Sequence, residues 1–400
     1  MPRTMRLFTA LSFVAALVSM TFAQSGRQIF GADATRPFSA AAKAGGLVYV
    51  AGTIGADANN KGDIKSQTKQ TLENIDKTLK AAGSSLANAA STMVYLRSPA
   101  DFAAMNDVYA TFWPKDPPAR TTVIVTQPLA NPDGLVEISM VAVPNGGERV
   151  VVHPSDWMRS PAPYNYGIKS GNTLFLSGLV SRNGKDNTTV KGDITTQTKT
   201  ILDNGAAILK QAGMGFGDVV SSRVFITDDA NFQAMNAAYR PYFTAGSMPA
   251  RATARTGLAS PDYLVEITMV AVRDSSRKAI TTPNADGTAG TANPNLSSAI
   301  QVGNRLYVAG ITGNTASNKG DAKAQTAETL ARIERTMKTA GFEWPNVVDS
   351  MVYLPDMANY QSMNAAYREA LKKDFPARAT VGTGLMGADA AVEIMMTAVK

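Results

Sequence analysis

The feature that most constrains this chain is a motif, Pro-Ala-Arg followed by Val-Glu-Ile, that occurs three times. The copies lie at residues 118–122 with 136–138, 249–253 with 265–267, and 376–380 with 392–394. The period is about 130 residues, whereas solenoid repeats have periods of about 20–50 residues. Each repeat is long enough to be a domain with its own core. The chain is therefore predicted to contain three tandem copies of one domain.

Composition excludes several kinds of site. The chain carries an excess of seven positive charges, but no block of basic residues, so we expect no nucleic-acid partner. It has no cysteine, which excludes disulfides, thiolate metal sites and a cysteine nucleophile. Its single histidine, His153, cannot supply a metal cluster or a Ser-His-Asp triad to each repeat. We expect neither a metal nor a cofactor.

The first residues have the layout of a secretory signal peptide. Arg3 and Arg6 precede an apolar run over residues 7–18, and small residues precede a cleavage point before Gln24. The apolar run is too short to cross a bilayer comfortably. We expect residues 1–23 to be removed and the mature protein to be periplasmic or secreted, with no membrane span.

Each repeat shows strand-like and helical patterns in the same order. A short apolar run closed by glycine, at 47–52 in the first repeat, indicates a buried strand. A helix ended by Gly83, a second strand-like run, a second helix and two closing strands about a turn follow. This pattern predicts an α+β domain, a mixed sheet with two helices on one face. The predicted domains are residues 31–144, 154–273 and 296–400, with a flexible linker at 274–295.

The second helix of each repeat places an asparagine directly after an apolar Met. These residues are Asn106, Asn236 and Asn364. A polar residue kept beside a core stripe in three copies is consistent with a binding role, but also with a surface or capping role.

The repeated Arg and Glu indicate the chemistry of the site. An arginine offers a rigid fork that matches a carboxylate, and a glutamate can orient or activate a water molecule. If the last two strands form a simple hairpin, Arg251 and Glu266 lie roughly 13 Å apart, at about 3.3 Å per strand residue. We therefore expect each Arg to work with groups from a neighbouring repeat, in a cleft between domains. The alternative is a buried Arg–Glu ion pair with a structural role.

These motifs resemble those of the RidA family, also called YjgF or L-PSP. The resemblance rests on the Pro-Ala-Arg and Val-Glu-Ile pair, on the Gly-Asp-Ile helix start at 62–64, and on the Met-Asn helix. It covers nearly all of the chain after residue 23, three times over. It implies three chorismate-mutase-like (YjgF-like) domains that form an intramolecular pseudo-trimer, with ligand clefts between domains and no need of a second chain.

The resemblance also implies site residues. The carboxylate-binding arginine of the family corresponds to Arg120, Arg251 and Arg378, and its water-handling glutamate to Glu137, Glu266 and Glu393. Its helix asparagine corresponds to Asn106, Asn236 and Asn364. The glycine that ends the first long strand is Gly52, Gly178 or Gly310, and the family's frequent cysteine two residues after the arginine is Thr122, Thr253 or Thr380. A tyrosine and a serine that are typical of the family occur only in the second repeat, as Tyr164 and Ser177.

The function that this resemblance implies is hydrolysis of reactive enamines and imines to 2-oxo acids and ammonia. The second repeat is the most complete. Arg251 is expected to hold the carboxylate and Glu266 to orient water, with Tyr164, Ser177, Asn236 and the Gly178 backbone fixing the substrate. One alternative is a protein that binds small 2-oxo acids without turnover, since two repeats lack the tyrosine and serine. A weaker alternative is the endoribonuclease activity ascribed to some family members.

Overall fold

The computed structural model describes residues 26–400, and the predicted signal peptide lies outside the described residues. The three repeats form three similar units, here called domains 1, 2 and 3, each built on one mixed sheet with two long helices. The α+β reading of each repeat is confirmed. Within residues 26–400, every helix is too short or too polar to cross a bilayer.

The elements follow the same order in each domain. Domain 1 has strands β1 Gln28–Phe30, β2 Ala41–Ala44 and β3 Leu47–Thr53, helix α1 Ile64–Ala81, β4 Ala89–Leu96, α2 Phe102–Phe112, β5 Ala119–Ile124 and β6 Val136–Ala142. Domain 2 has β7 Val150–Val152, β8 Gly167–Ser170, β9 Thr173–Leu176, α3 Ile194–Gln211, β10 Val219–Ile226, α4 Phe232–Tyr239, β11 Ala250–Arg255, β12 Gly257–Leu258 and β13 Val265–Val272. Domain 3 has β14 Lys278–Ile280, β15 Ala299–Val302, β16 Arg305–Thr312, α5 Ala322–Thr339, β17 Val347–Leu354, α6 Tyr360–Leu371, β18 Ala377–Gly382, β19 Gly384–Leu385 and β20 Glu393–Val399.

The sheet order differs from a simple closing hairpin. In domain 2 the order is β11-β10-β13-β9-β8-β7, and β10 pairs with β11 in parallel. The chain from β10 through α4 to β11 is therefore a crossover unit, and the last strand inserts between β10 and β9. The hairpin assumed from the sequence is wrong, because the two last strands are separated by β10. Domains 1 and 3 have the same arrangement.

Helix boundaries follow from short-range chemistry that the sequence shows. The Asp63 side chain caps α1 by accepting from the backbone N–H groups of Lys65 and Ser66. Gly83 ends the same helix with φ +72°, in the left-handed region that favours glycine, and Ser84 N–H donates to Leu79 O. The corresponding helices of domains 2 and 3 begin at an Asp cap and end at a glycine in the same way.

A buried glutamine fixes the turn that leads into each glutamate strand. The amide of Gln67, near the start of α1, donates to Asp133 O (3.0 Å) and accepts from Leu135 N–H (2.8 Å). Gln197 and Gln325 make the same pair of contacts in domains 2 and 3. Because both ends of the amide are used, this side chain holds the start of the strand that carries Glu137 two residues later.

Each sheet is covered on one face by its own helices and on the other by the neighbouring domains. The helix side of domain 1 packs Leu72, Ile75 and Leu79 of α1 against Met105 and Tyr109 of α2 and the sheet. A separate hydrophobic cluster joins all three sheets on the opposite faces. Its members include Met93, Tyr95, Phe225, Ala252, Met351 and Tyr353.

Backbone contacts between the domains run in a cycle. Strand β12 of domain 2 pairs with β5 of domain 1, and β19 of domain 3 pairs with β11 of domain 2. Thr126 N–H of domain 1 donates to Gly382 O of domain 3 (2.9 Å). Each domain therefore gives a short segment to the edge strand of another domain.

The connectors contain strands that the sequence pattern did not predict. Each domain begins with a three-residue strand, β1, β7 or β14, that pairs with the following strand. Strand β7 precedes the predicted start of domain 2 at residue 154. Strand β14 lies inside the predicted linker 274–295, so that part of the linker belongs to the sheet of domain 3. Three residues are too few for a period-two pattern to be recognised.

Candidate functional site

The repeated arginines and glutamates meet across domain boundaries at three places. Site A joins Arg120 of domain 1 with Glu266 of domain 2, and both side chains line one cavity. Site C joins Arg378 of domain 3 with Glu137 of domain 1 in a second cavity. Site B is the corresponding place where the charges of Arg251 of domain 2 and Glu393 of domain 3 interact.

Main-chain hydrogen bonds bring the arginine strand against the next domain. Asn165 N–H donates to Pro118 O (3.2 Å), and Gly178 N–H donates to Arg120 O (3.0 Å). Ser297 N–H and Ser39 N–H make the first of these contacts at sites B and C, to Pro249 O and Pro376 O. The Pro-Ala-Arg segment thus contacts the backbone of a neighbouring domain in all three repeats.

The three glutamates are buried and close to neutral. Burial raises the pKa of Glu266 to about 8, although the Thr122 backbone N–H and the charge of Arg120 oppose the rise. The Thr122 N–H donates to Glu266 Oε1 (3.3 Å). Burial likewise raises the pKa of Glu137 and of Glu393 to about 8. Such a carboxyl group can act as an acid and as a base near neutral pH.

A glycine is required beneath each glutamate. A methyl group on Gly178 would overlap the Glu266 carboxylate and would also press on the Thr121 side chain of domain 1. Gly52 and Gly310 lie in the same relation to Glu137 and Glu393. The glycine that closes each apolar strand therefore makes room for the carboxylate.

Each arginine is buried on a tyrosine. The Arg120 guanidinium lies 4.7 Å from the Tyr109 ring centre, and Arg251 and Arg378 lie 4.9 and 4.8 Å from Tyr239 and Tyr367. Such contacts attract a cation to the ring face. Burial lowers the pKa of all three arginines.

The helix asparagines contact the arginines directly in two sites. Arg251 Nη2 donates to Asn236 Oδ1 (2.6 Å), and Arg378 Nη2 donates to Asn364 Oδ1 (2.7 Å). In site A, Asn106 Oδ1 and Arg120 Nη1 are buried and have no hydrogen-bond partner among residues 26–400. The asparagine therefore belongs to the site and is not a surface or capping residue.

The arginines and glutamates leave room for a ligand. Among the residues that the structure describes, none of the three arginines lies within the 4.0 Å ion-pair distance of any of the three glutamates. The cavity of site A has a volume of about 510 Å³ and that of site C about 460 Å³. The alternative of a closed structural ion pair therefore does not describe these sites. A small carboxylate fits the donor set of one arginine and one neutral carboxyl group.

The structure regroups the predicted site residues. Tyr164, Gly178 and Glu266 share site A with Arg120 and Asn106, and the Tyr164 ring centre lies 5.8 Å from the Arg120 guanidinium. Arg251 and Asn236 lie in site B. The predicted grouping of Arg251 with Glu266 in one site is therefore wrong. The cause is the sheet order, because Arg251 and Glu266 lie on strands that flank β10, beside Ser222 and Phe225.

One other expectation of the second repeat needs correction. The Gly178 N–H donates to Arg120 O, so it joins two domains and is not free to bind a substrate. Ser177 is completely buried and lies outside the residues that line the cavity of site A, but its Oγ has no hydrogen-bond partner among residues 26–400, so its role in binding stays a prediction. Thr253, two residues after the site B arginine, donates its backbone N–H to Glu393 and so stabilises the ionised form of that glutamate.

Sequence reasoning missed the tyrosine beneath each arginine. Tyr109, Tyr239 and Tyr367 lie on the apolar face of the second helix and pack in the core of each domain. The available signal was a hydroxyl kept in all three copies, together with a Ser or Thr on the preceding strand. Tyr109 and Tyr239 hydroxyls indeed bond Thr92 and Ser222 (2.9 and 2.8 Å).

The donor set of the sites is not that of a metal centre. Residues 26–400 hold no cluster of three or more His, Cys, Asp or Glu side chains able to bind a metal ion. His153 contacts Trp157 O and lies outside the residues lining the two cavities.

Comparison with known proteins finds the same family in all three repeats. The family model described as Endoribonuclease L-PSP matches residues 31–144, 156–273 and 288–400. A RutC family protein of Pyrococcus horikoshii is 44% identical over 112 residues, covering 28% of this chain and 88% of that protein. A protein of Acinetobacter baylyi named 3-aminoacrylate deaminase RutC is 42% identical over 110 residues, covering 26% of this chain and 86% of that protein.

A longer structural likeness spans more than one domain. The crystal structure of a chorismatase superposes with a TM-score of 0.53 over 78% of this chain and 93% of that chain, at 14% sequence identity. At that identity the likeness describes the fold alone. The three matches of the family model cover most of the chain, in the three repeats that the motifs had marked. The chain therefore belongs to the Endoribonuclease L-PSP family, also known as the RidA or YjgF family, and carries three tandem copies of the family domain.

Proposed function

We propose that the protein hydrolyses enamines and imines of 2-oxo acids, releasing the 2-oxo acid and ammonia. The observation that carries this proposal is the pairing, in one cavity, of a buried arginine from one domain with a buried, nearly neutral glutamate from the next. The relative named 3-aminoacrylate deaminase supports the reaction class. Site A, with Arg120 and Glu266, is proposed as the most active site.

Arg120 is the group that would bind the substrate carboxylate. Its guanidinium is fixed on Tyr109 and faces the cavity, and its buried Nη1 has donor capacity that protein atoms among residues 26–400 do not use. A guanidinium offers two parallel N–H groups to a carboxylate, which sets both the position and the orientation of the substrate. The reacting C=N or C=C bond then lies on the side of the cavity that Glu266 lines.

Glu266 would transfer the protons. In its acid form it donates a proton to the enamine carbon or to the imine nitrogen, which gives an iminium ion and a carboxylate. Water then attacks the iminium carbon and gives one proton to that carboxylate. Proton transfer to nitrogen and cleavage of the C–N bond release ammonia and the 2-oxo acid, and Glu266 ends in the acid form in which it began. A pKa of about 8 suits this exchange at neutral pH.

The test is a competition for imines. An amino-acid oxidase generates 2-imino acids in the presence of semicarbazide, which traps them. The wild-type protein is expected to reduce the yield of semicarbazone, and Arg120→Gln is expected to restore most of it. An unchanged yield with the wild-type protein across several imino acids would refute the proposed reaction.

A second candidate function is binding of small carboxylates without turnover in sites B and C. The position of Tyr164 is held by Leu296 in domain 3 and by Phe38 in domain 1, so sites B and C lack a hydroxyl at that position. In site C, Tyr360 supplies a tyrosine from a different position, where site A has Phe102. Saturable binding of a 2-oxo acid by a variant whose site A is inactivated, with no hydrolysis, would support it.

We also propose that the three domains act as an intramolecular pseudo-trimer and that the mature chain is exported. The cyclic exchange of strand segments and the three equivalent sites support the first proposal. Light scattering in solution is expected to give one chain per particle. Cell fractionation is expected to find the protein outside the cytoplasm, with Gln24 as its first residue.

A further inference from the structure

Site A contains a second arginine that the proposed chemistry does not use. Arg182 lines the same cavity as Arg120 and Glu266. It lies four residues after Gly178, and the corresponding residues are Ala56 in domain 1 and Asn314 in domain 3. A cation at this position is therefore specific to site A and is not part of the repeated Arg–Glu arrangement.

The Arg182 side chain is held in place by the loop that follows it. Arg182 Nε donates to Asn187 O (2.8 Å), and Nη2 donates to the same oxygen. Asn187 is itself fixed, because its side chain accepts from the Tyr166 hydroxyl (2.9 Å) and donates to Arg159 O (3.0 Å). Because Nε and Nη2 are already held, the side chain loses little conformational freedom when Nη1 binds a ligand.

The charge of Arg182 is not neutralised by a protein carboxylate. Within residues 26–400 it takes part in no ion pair, and Nη1 donates to no protein acceptor. Tyr164 is within electrostatic reach of both cations: burial raises the pKa of Tyr164, and the charges of Arg120 and Arg182 both oppose that rise. The cavity of site A thus presents two guanidinium groups and one nearly neutral carboxyl group.

Site C provides an internal comparison. Its cavity also has a second arginine, Arg36, on the loop before β2. Arg36 forms an ion pair with Asp33 (3.0 Å), and about half of its side chain (49%) is exposed. Its charge is therefore largely compensated and screened by solvent, unlike that of Arg182.

We propose that site A selects an acid with two carboxylates, the 2-carboxylate on Arg120 and the distal carboxylate on Arg182. This inference rests on the proposed function, in which Arg120 holds the substrate carboxylate. The substrate class is then the enamine or imine of a dicarboxylic 2-oxo acid, such as forms when an acidic amino acid loses two electrons and two protons.

Calorimetric titration with two matched acids tests the inference. 2-Oxoglutarate and 2-oxopentanoate have the same chain length and differ only in the distal carboxylate. The wild-type protein is expected to bind one equivalent of 2-oxoglutarate per chain at least about tenfold more tightly than 2-oxopentanoate, the order expected for a charged hydrogen bond. Arg182→Gln should abolish this preference without changing the affinity for 2-oxopentanoate, and Arg182→Lys should keep part of it.

Arg36→Gln, in site C, is the matched control and should leave the preference unchanged. Equal affinity of the wild-type protein for both acids, or a preference that survives in Arg182→Gln, would overturn the inference. Failure to bind either acid would overturn it as well. Retained preference without hydrolysis of any imine would refute the proposed reaction only, so the two failures are distinguishable.

Discussion

Sites A and C share the same central residue types but differ in the residues around them. Both have a buried arginine on a tyrosine, a glutamate over a glycine, and a cavity of similar volume. They differ around that machinery, where site A has Tyr164 and an unpaired Arg182 and site C has Phe38 and an ion-paired Arg36. The comparison shows that the repeat preserves the arginine, its tyrosine and the glutamate over a glycine, whereas the loops between strands add different groups to each cavity.

The largest expected effect is the difference in lost activity between substitutions of Glu266 and Glu137. Glu266→Gln is expected to lower turnover in site A by about 10²–10⁴-fold, the usual contribution of a general acid–base group. Total imine hydrolysis should then fall to the level of sites B and C. Glu137→Gln in site C should cause a much smaller loss. A larger loss from Glu137→Gln than from Glu266→Gln would reverse the ranking of the sites.

The pH dependence of activity sharpens the same comparison. In the proposed reaction the acid form of Glu266 acts first. Because its pKa in the free protein is about 8, kcat/KM of the wild-type protein should fall as pH rises through about 8. The residual activity of Glu266→Gln should show the pH dependence set by Glu137 and Glu393. A kcat/KM that instead rises through pH 8 would show that the carboxylate form starts the reaction.

Substitution at the glycine is expected to have the next largest effect. In Gly178→Ala the added methyl group overlaps the Glu266 carboxylate, which must move. We expect a loss of site A activity of at least about tenfold and a destabilisation of about 1–3 kcal/mol, typical of overpacking. Denaturant unfolding and the imine assay measure the two effects. Gly217→Ala, which meets open space, is the control and should change neither quantity.

Stability should depend on pH through the glutamates of all three sites. Burial raises their pKa in the folded protein from 4.5 to about 8. Their contribution to the free energy of unfolding is therefore fully present below pH 4.5 and is lost as pH rises through about 8. The Tm of the wild-type protein should therefore decrease from pH 5 to pH 9. Replacing Glu137, Glu266 and Glu393 by Gln should flatten this decrease, and an unchanged slope would contradict the burial argument.

The smallest expected effect comes from a reciprocal exchange. Tyr164→Phe gives site A the ring of site C, and Phe38→Tyr does the reverse. Because the ring stays beside the arginine, we expect changes of only about three- to tenfold in kcat/KM, corresponding to one neutral hydrogen bond. A loss in the first variant and a gain in the second would assign the difference to the hydroxyl. Similar activity in both variants and the wild type would assign it elsewhere.

Local chemistry made much of the fold predictable from the sequence. The Asp63 cap and the Gly83 stop mark α1, and the period of the repeated motif divides the chain into three domains. The order of strands was not predictable in this way, because β10 reaches both of its neighbours through contacts distant in sequence. An incorrect hairpin thus led to the expectation that Arg251 works with another repeat, and the charge of Arg251 interacts with that of Glu393 of domain 3.

The repeated arginines and glutamates could be recognised from the sequence, but not which arginine lies near which glutamate. Arg120 and Glu266 were both marked by repetition, yet repetition cannot show which copy of one meets which copy of the other. That choice depends on backbone contacts between domains, such as Asn165 N–H with Pro118 O, which join positions far apart in the sequence. Tyr109 was missed because an aromatic residue on an apolar helix face is already explained by the core.

The most direct test is a pair of double variants assayed for imine hydrolysis. If each site is built from two domains, Arg120→Gln and Glu266→Gln disable the same site. The double variant should then retain the same residual activity as either single variant, contributed by sites B and C. Arg251→Gln combined with Glu266→Gln should fall further, because it disables sites A and B. The opposite result, with Arg251 and Glu266 behaving as one unit and Arg120 and Glu266 as two, would contradict the account and place each site within a single domain.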